Sequence, residues 1–549
     1  MKIDAIKAFL LLFIAVLGLT GCKNTSSKNT SRATGWQINA REGGFQYNTN
    51  FKEQETAPGL VFIEGGTFTK GRVQDDVMHD WNNTPTQQHI QSFYIDETEV
   101  TNVMYLEFLD YLKSVYPPDD PKYTNIYYGA LPDTLVWRNR LGYNEVMTNN
   151  YLRHPAYAEY PVVGVNWVQA TQFSEWRTDR VNELILEREG YIERGTKYAV
   201  VQGEVDGTFS TAAYINNPES VYGGEIDSLQ GRAKRDSVNV FAKRKSGVLL
   251  PEYRLPTETE WEYAALGLVG EREYNNYRGK KKYPWEGRYT RSGKRAIRGD
   301  QLANFKQGKG DYGGIAGWSD DGADVTAPVK SYPPNDYGLY DMAGNVAEWV
   351  ADVYRPIVDD EANDFNYYRG NVYTKPSIDK DGKVAIVGEG NIVYDTLSNG
   401  RIVARDLPGE IAMVPITEDD AYLRPNFTKS DNRGYRDGEY GSTRYYDRFR
   451  NNDDDDPKNR KRMYNSPDHK VTTDSLGNLI KEYDKEKRTS LIDDNVRVYK
   501  GGSWRDRAYW LDPAQRRYLP EYMATDYIGF RCAMSRVGSK SKNKKRPRG

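Results

Sequence analysis

The chain has 549 residues, a net charge of −2 and 38% hydrophobic residues. That near-neutral balance excludes a dedicated nucleic-acid binder, which carries a strong basic excess. Aromatic residues make up 13% of the sequence, which excludes a wholly disordered chain, while a mean hydropathy of −0.80 predicts long solvated segments around a core.

The first 21 residues open with Lys2, Asp4 and Lys7 and continue as an uncharged run from Ala8 to Leu19. That run falls short of the roughly 20 apolar residues a membrane span needs, and it matches the apolar region of a signal peptide. It ends in Leu19-Thr20-Gly21-Cys22, small residues before a cysteine, which resembles a lipobox. The expectation is lipidation at Cys22 and attachment to a membrane through that lipid. Lys23 follows the cysteine, so the outer membrane is expected, on its periplasmic face. Residues 22–57 are expected to form a polar tether.

Ordered sequence begins at Gly59-Leu60-Val61-Phe62-Ile63-Glu64-Gly65-Gly66, an apolar strand running into a glycine turn. Met104, Phe108, Tyr111 and Leu112 then recur at helical spacing. A strand is predicted over Pro161–Val165 and a helix over Trp167–Arg177. A further helix starts at Thr257, where Glu260 completes a capping box. Two stretches read as insertions, 178–249 and 353–496. The first carries a predicted helix near Val181–Gly190, and the second includes the acidic run Asp453–Asp456. Tyr367, Tyr368, Tyr435, Tyr440, Tyr445 and Tyr446 are candidates for a glycan- or peptide-binding surface. Residues 537–549 form a basic tail.

The sequence holds two cysteines, Cys22 and Cys532, and four widely spaced histidines. With Cys22 lipidated, no internal disulfide and no C-x-x-C zinc site is expected.

Four ordered segments carry a family resemblance. They are Arg254-Leu255-Pro256-Thr257-Glu258, Asp341-Met342-Ala343-Gly344-Asn345-Val346-Ala347-Glu348-Trp349, Gly501-Gly502-Ser503-Trp504 and Gly529-Phe530-Arg531-Cys532. Together they resemble the formylglycine-generating-enzyme, or sulfatase-modifying factor, family, over roughly 59–177, 250–352 and 497–536. The resemblance implies an α/β (α+β) fold of the C-type-lectin-like kind, with little regular secondary structure and long insertions. The domain is expected to cover 58–536.

Active members bind copper through two cysteines shortly after the Gly-Gly-Ser motif. By that resemblance Asp506 and Leu511 stand at the cysteine positions. A carboxylate is a poor ligand for soft Cu(I) and leucine has no donor, so no copper and no catalysis are expected. Asp506 is expected to be a solvated or salt-bridged carboxylate near Arg505 and Arg507. Cys532 lies in a structural motif of the family.

The resemblance also implies structural calcium. Asp341, Gly344, Val346 and Glu348 match one family loop; Asn304, Phe305, Asp321 and Ala323 match a second. Carboxylates and carbonyls in glycine turns suit a hard cation. In the alternative reading these residues cap turns and bond backbone amides.

Within the family the sequence is most similar to gliding-motility lipoproteins of Bacteroidetes. The implied role is a non-catalytic structural or assembly lipoprotein of the gliding-motility and type IX secretion machinery. Its partners would be other proteins of that machinery, especially a related lipoprotein of the same family. A divergent metal-dependent oxidase and a glycan-binding lectin-like module are the alternatives.

Overall fold

The computed structural model describes 53–71, 85–121, 123–138, 142–191, 209–216, 247–268, 281–307, 321–354 and 496–538, with short pieces in 30–47, 374–415 and 469–483. The signal segment, Cys22, the six candidate tyrosines and nearly all of the basic tail lie outside the described residues, as does most of both insertions. The chain divides into two compact units, Met1–Glu53 with Ala242–Leu249, and Gln54–Phe241 with Leu250–Gly549.

Two four-stranded sheets organise the second unit. In the first, Leu60–Ile63, Phe93–Asp96, Ala533–Ser535 and Tyr253–Arg254 lie side by side in that order, each antiparallel to its neighbour. In the second the order is Arg517–Pro520, Val496–Lys500, Ala347–Val353, Ile528–Phe530. There Val496–Lys500 is antiparallel to both neighbours, and Ile528–Phe530 runs parallel to Ala347–Val353. The chain leaves the second sheet at Phe530 and enters the first at Ala533. Arg531 and Cys532 are the crossing, and both are fully buried.

The helix predicted at Met104–Leu112 covers Asn102–Val115 and buries Tyr105, Phe108, Tyr111 and Leu112. The two helices predicted at Trp167–Arg177 and Val181–Gly190 are a single helix, Trp167–Glu189. Asn166 and Gln169 form its capping box, and Gly190 ends it in the left-handed conformation at φ 76°. The polar residues at the expected insertion boundary are bonded sideways. Arg177 pairs with Asp96, the Thr178 hydroxyl accepts the Tyr253 amide, and Asp179 accepts the Thr211 amide.

No strand forms over Pro161–Val165. Its amides go to separate segments, Val162 to the Val100 carbonyl and Gly164 to the Thr525 carbonyl, so no ladder develops.

Candidate functional site

The helix Glu258–Leu266 begins as the sequence predicts. The Thr257 hydroxyl accepts the Glu260 amide and the Glu260 carboxylate accepts the Thr257 amide. Glu260 is further clamped by both terminal nitrogens of Arg254, at 2.7 and 2.8 Å. One turn apart, Glu258 and Glu262 face inward and are fully buried. Glu258 meets Lys70 at 3.1 Å, Lys500 at 3.3 Å and Arg516 at 2.7 Å. Glu262 meets Lys500 at 3.4 Å and accepts the Gly71 amide. Burial opposes its charge, yet Arg516, Lys70 and Lys500 hold the Glu258 carboxyl well below the usual range. Asp352 accepts the Glu258 amide at 2.7 Å. Its burial, reinforced by the Glu258 charge, pushes its carboxyl up to about 6.

Trp261, on the same helix, donates its indole N–H to Glu348 at 2.7 Å. Both Glu348 oxygens also accept from Arg531, each at 2.7 Å. Arg531 reaches the carbonyls of Asp96 and Tyr340 as well. The crossing between the sheets is therefore an arginine whose donors face three separate segments.

The loop before Glu348 makes three left-handed residues, Asp341 at φ 55°, Gly344 at φ 82° and Asn345 at φ 57°. At Gly344 a Cβ would stand 2.4 Å from the Asn304 carbonyl, so glycine is required. The backbone of Asn345 donates to Asn304 and accepts from Trp504, while Gly344 donates to Gly501. The Asn345 side chain donates to Glu99 at 2.6 Å and accepts the Ala327 amide. The Asn345 and Val346 positions thus seat Glu99, whose other oxygen accepts the Val346 amide at 3.0 Å. Burial, with the nearby Asp341 and Glu348, raises the Glu99 carboxyl well above the usual range. Glu99 was not singled out from the sequence. Its signal was an acid set directly before the apolar Val100.

All four residues of the first expected calcium loop are buried or lie on buried backbone. Asp341 accepts the Lys330 amide at 3.1 Å, and burial pushes its carboxyl up to about 6. The carboxyls of Glu99, Asp341 and Glu348 gather around Arg531. In charge and donor type this loop fits a divalent cation. Glu348 already accepts from Arg531 and Trp261, so Asp341 is the carboxylate with oxygen to spare.

The structure also brings the second set together. Asp321 accepts the amides of Phe305 and Ala323, both at 3.2 Å, and the Asn304 side chain donates to the Val325 carbonyl at 2.7 Å. These are bonds of the turn-capping kind. Among the described residues no group of three or more His, Cys, Asp or Glu is placed to hold a metal ion. Backbone carbonyls would therefore complete either ligand set.

Asp506 is salt-bridged, but not to its sequence neighbours. Arg517 grips both carboxylate oxygens, at 2.6 and 2.7 Å, and the Ser503 hydroxyl donates to one of them at 2.5 Å. Arg505 turns to Asp526 instead. The Arg517 guanidinium lies between the rings of Tyr499 and Trp510, 4.7 Å from each. Leu511 is fully buried among Tyr283, Ala303, Phe305 and Ala343. Cys532 sits elsewhere, beside Ser174 at 3.4 Å, with its amide donated to Asp96. Burial pushes its thiol up to about 12, which removes thiolate reactivity near neutral pH.

A model of the sulfatase-modifying factor enzyme 1-like domain matches residues 46–385. The chain belongs to that family. The match takes in the capped helix and the Asp341–Glu348 loop. The Gly501–Trp504 and Gly529–Cys532 motifs lie beyond its end.

Several curated proteins are similar over shorter stretches. The formylglycine-generating enzyme of Mus musculus is 39% identical over 99 residues, 18% of this chain and 22% of the enzyme. The inactive C-alpha-formylglycine-generating enzyme 2 of the same organism is 41% identical over 105 residues, 19% of this chain and 27% of that one. Serine/threonine-protein kinase pkn1 of Chlamydia pneumoniae is 26% identical over 304 residues, 55% of this chain and 29% of the kinase. The chain thus spans under a third of the length of each of these relatives. Among solved structures, PvdO from Pseudomonas aeruginosa is similar at 15% identity and a TM-score of 0.36, over 88% of this chain and all of that one.

Proposed function

We propose that this protein is a non-catalytic member of the family that holds other proteins in place, as a lipid-anchored lipoprotein at the periplasmic face of the outer membrane. The observation that carries this reading is the treatment of the two expected cysteine positions. Asp506 is locked by Arg517 and Ser503, and Leu511 is packed into an apolar cluster. Neither offers a soft ligand to copper, and the inactive mouse relative supplies a precedent. The proposed domain covers 58–536, with insertions at 178–249 and 353–496. The resemblance to gliding-motility lipoproteins supports a place in the gliding and type IX secretion machinery, beside a related lipoprotein of the family.

The purified protein, supplied with copper and a cysteine-containing sulfatase peptide, should form no aldehyde detectable by mass spectrometry. Aldehyde formation would overturn the reading. In cells, removal of 537–549 should leave thermal stability unchanged while reducing co-purification with other secretion lipoproteins. Unchanged co-purification would remove the tail from the partner surface.

Calcium belongs to the same proposal as a structural ion. Asp341, Gly344, Val346 and Glu348 would hold one ion, and Asn304, Phe305, Asp321 and Ala323 a second. Its contribution would be neutralisation of buried carboxylates. An ion bound only by the folded state stabilises it by mass action, so chelation should lower the melting temperature. Asp341→Ala should remove the part of that sensitivity that the first ion supplies. A melting curve indifferent to chelator and to added calcium would exclude both sites.

A further inference from the structure

The first unit contains a small structure that displays aromatic side chains instead of burying them. Ser31 donates its amide to the Trp36 carbonyl and accepts that of Gly35, which is left-handed at φ 75°. Asn39, itself left-handed at φ 61°, closes the next loop. Its side chain donates to the Tyr47 carbonyl at 2.7 Å and accepts the Tyr47 amide at 2.6 Å, and its own amide reaches the Phe45 carbonyl at 2.9 Å. The Phe45 and Tyr47 rings stack with centroids 6.0 Å apart and planes 8° from parallel. Held this way, Trp36 is 79% exposed, Phe45 64% and Tyr47 52%. Clustered exposed aromatics are uncommon on a soluble surface and mark a contact.

We propose that this aromatic loop lies in the headgroup region of the bilayer. The inference rests on the reading of Cys22 as the lipidated residue, and two observations select a lipid surface over other occupants. Trp36 is 14 residues from Cys22, and a chain of that length spans at most about 50 Å. The anchor therefore keeps the loop beside the membrane. Residues 23–53 also carry Lys23, Lys28, Arg32, Arg41 and Lys52 against Glu42 and Glu53. This positive balance complements anionic headgroups. The side chains suit that depth: Trp and Tyr concentrate at the membrane–water boundary, and Phe45 has no polar tip to keep in water. A glycan platform would use rings with hydrogen-bonding edges, which Phe45 lacks. The loop would fix how the rest of the chain departs from the membrane, which a lipid alone leaves free.

The test uses the full protein reconstituted in vesicles of phosphatidylethanolamine and phosphatidylglycerol whose acyl chains are brominated. Bromine quenches tryptophan at short range. Emission should be quenched in the parent, and the quenchable component should vanish in Trp36→Phe. Phe45→Ser with Tyr47→Ser should reduce quenching at Trp36 without altering the melting curve. Flotation of the parent with vesicles reports the anchor separately. If the parent fails to float, the lipidation reading fails, and quenching at Trp36 by the same vesicles added in excess still decides the aromatic contact. Identical quenching in the parent and Trp36→Phe overturns the proposal, whether or not the protein floats. Binding to peptidoglycan sacculi without quenching overturns it in favour of a glycan surface.

Discussion

An Arg531→Met variant should lose about 3–5 kcal/mol of folding stability, the cost of breaking a buried ion pair from one side. Arg531 is fully buried and supplies both bonds of the Glu348 clamp. Methionine fills similar space but leaves the Glu348 carboxylate, also buried, facing the indole of Trp261 alone. It further abandons the Asp96 and Tyr340 carbonyls. Adding Glu348→Leu should recover much of the loss, because replacing both partners of a buried pair by apolar groups is often near neutral. Denaturant midpoints of the two variants measure this. A single variant as stable as the parent would refute the contribution of the Arg531–Glu348 clamp.

The second large effect is expected at Glu258. It touches three buried cations, Lys70, Lys500 and Arg516. Glu258→Gln keeps the shape and removes the charge, leaving Glu262 and Asp352 to face those cations. The expected loss at neutral pH is again about 3–5 kcal/mol. The pH dependence should change with it. Glu258 in the folded protein ionises well below the ordinary glutamate value of 4.5, held there by Arg516, Lys70 and Lys500 against its burial. The folded state therefore binds its proton less readily than the unfolded state, and the contribution is present above about 4.5 and fades as pH falls below it. Glu258→Gln should flatten that acid limb. Burial, offset in part by Glu258 and Glu262, lowers the Lys500 ammonium. A lowered lysine favours the folded state as pH rises, so the variant should regain stability toward alkaline pH. Asp352, pushed up to about 6, runs the other way from Glu258: its contribution is largest when protonated and is lost as pH rises through 6. Unfolding curves from acid to alkaline pH, with the parent's acid limb retained in the variant, would refute the assignment to Glu258.

The sequence was most legible where the chemistry is local. Thr257 and Glu260 stand three apart, and the box they form needs nothing from elsewhere. Gly344 of the Asp341–Glu348 loop was equally readable, because a left-handed backbone restricts residue type. The helix Trp167–Glu189 was expected as two pieces, with the boundary of an insertion at 178, and the residues at that boundary are polar. Their partners, Asp96, Tyr253 and Thr211, are dozens of residues away. Asp506 is salt-bridged, as one of the two expected states, but its partner was illegible for the same reason. Arg505 and Arg507 flank it in sequence, but its partner is Arg517. Nothing local marks Glu258 and Glu262, one turn apart on one face of the helix Glu258–Leu266, as buried. Only the arrival of Lys70, Lys500 and Arg516 from three other segments makes that face an interior.

The crossing at Arg531 and Cys532 also sets the order in which this protein can fold. Phe93–Asp96 pairs with Ala533–Ser535 across more than 400 residues, and Ala347–Val353 pairs with Ile528–Phe530 across more than 170. Ribosomes and export channels deliver the amino-terminal strands first. Until Arg531 emerges, Glu348 has no guanidinium, and the first sheet lacks the strand that joins Phe93–Asp96 to Tyr253–Arg254. Contacts of such long separation slow folding, since the loop must close before it is rewarded. Any truncation that removes Gly529–Ser535 would take the closing strand from both sheets at once, and the growing chain needs protection from aggregation until that segment is made.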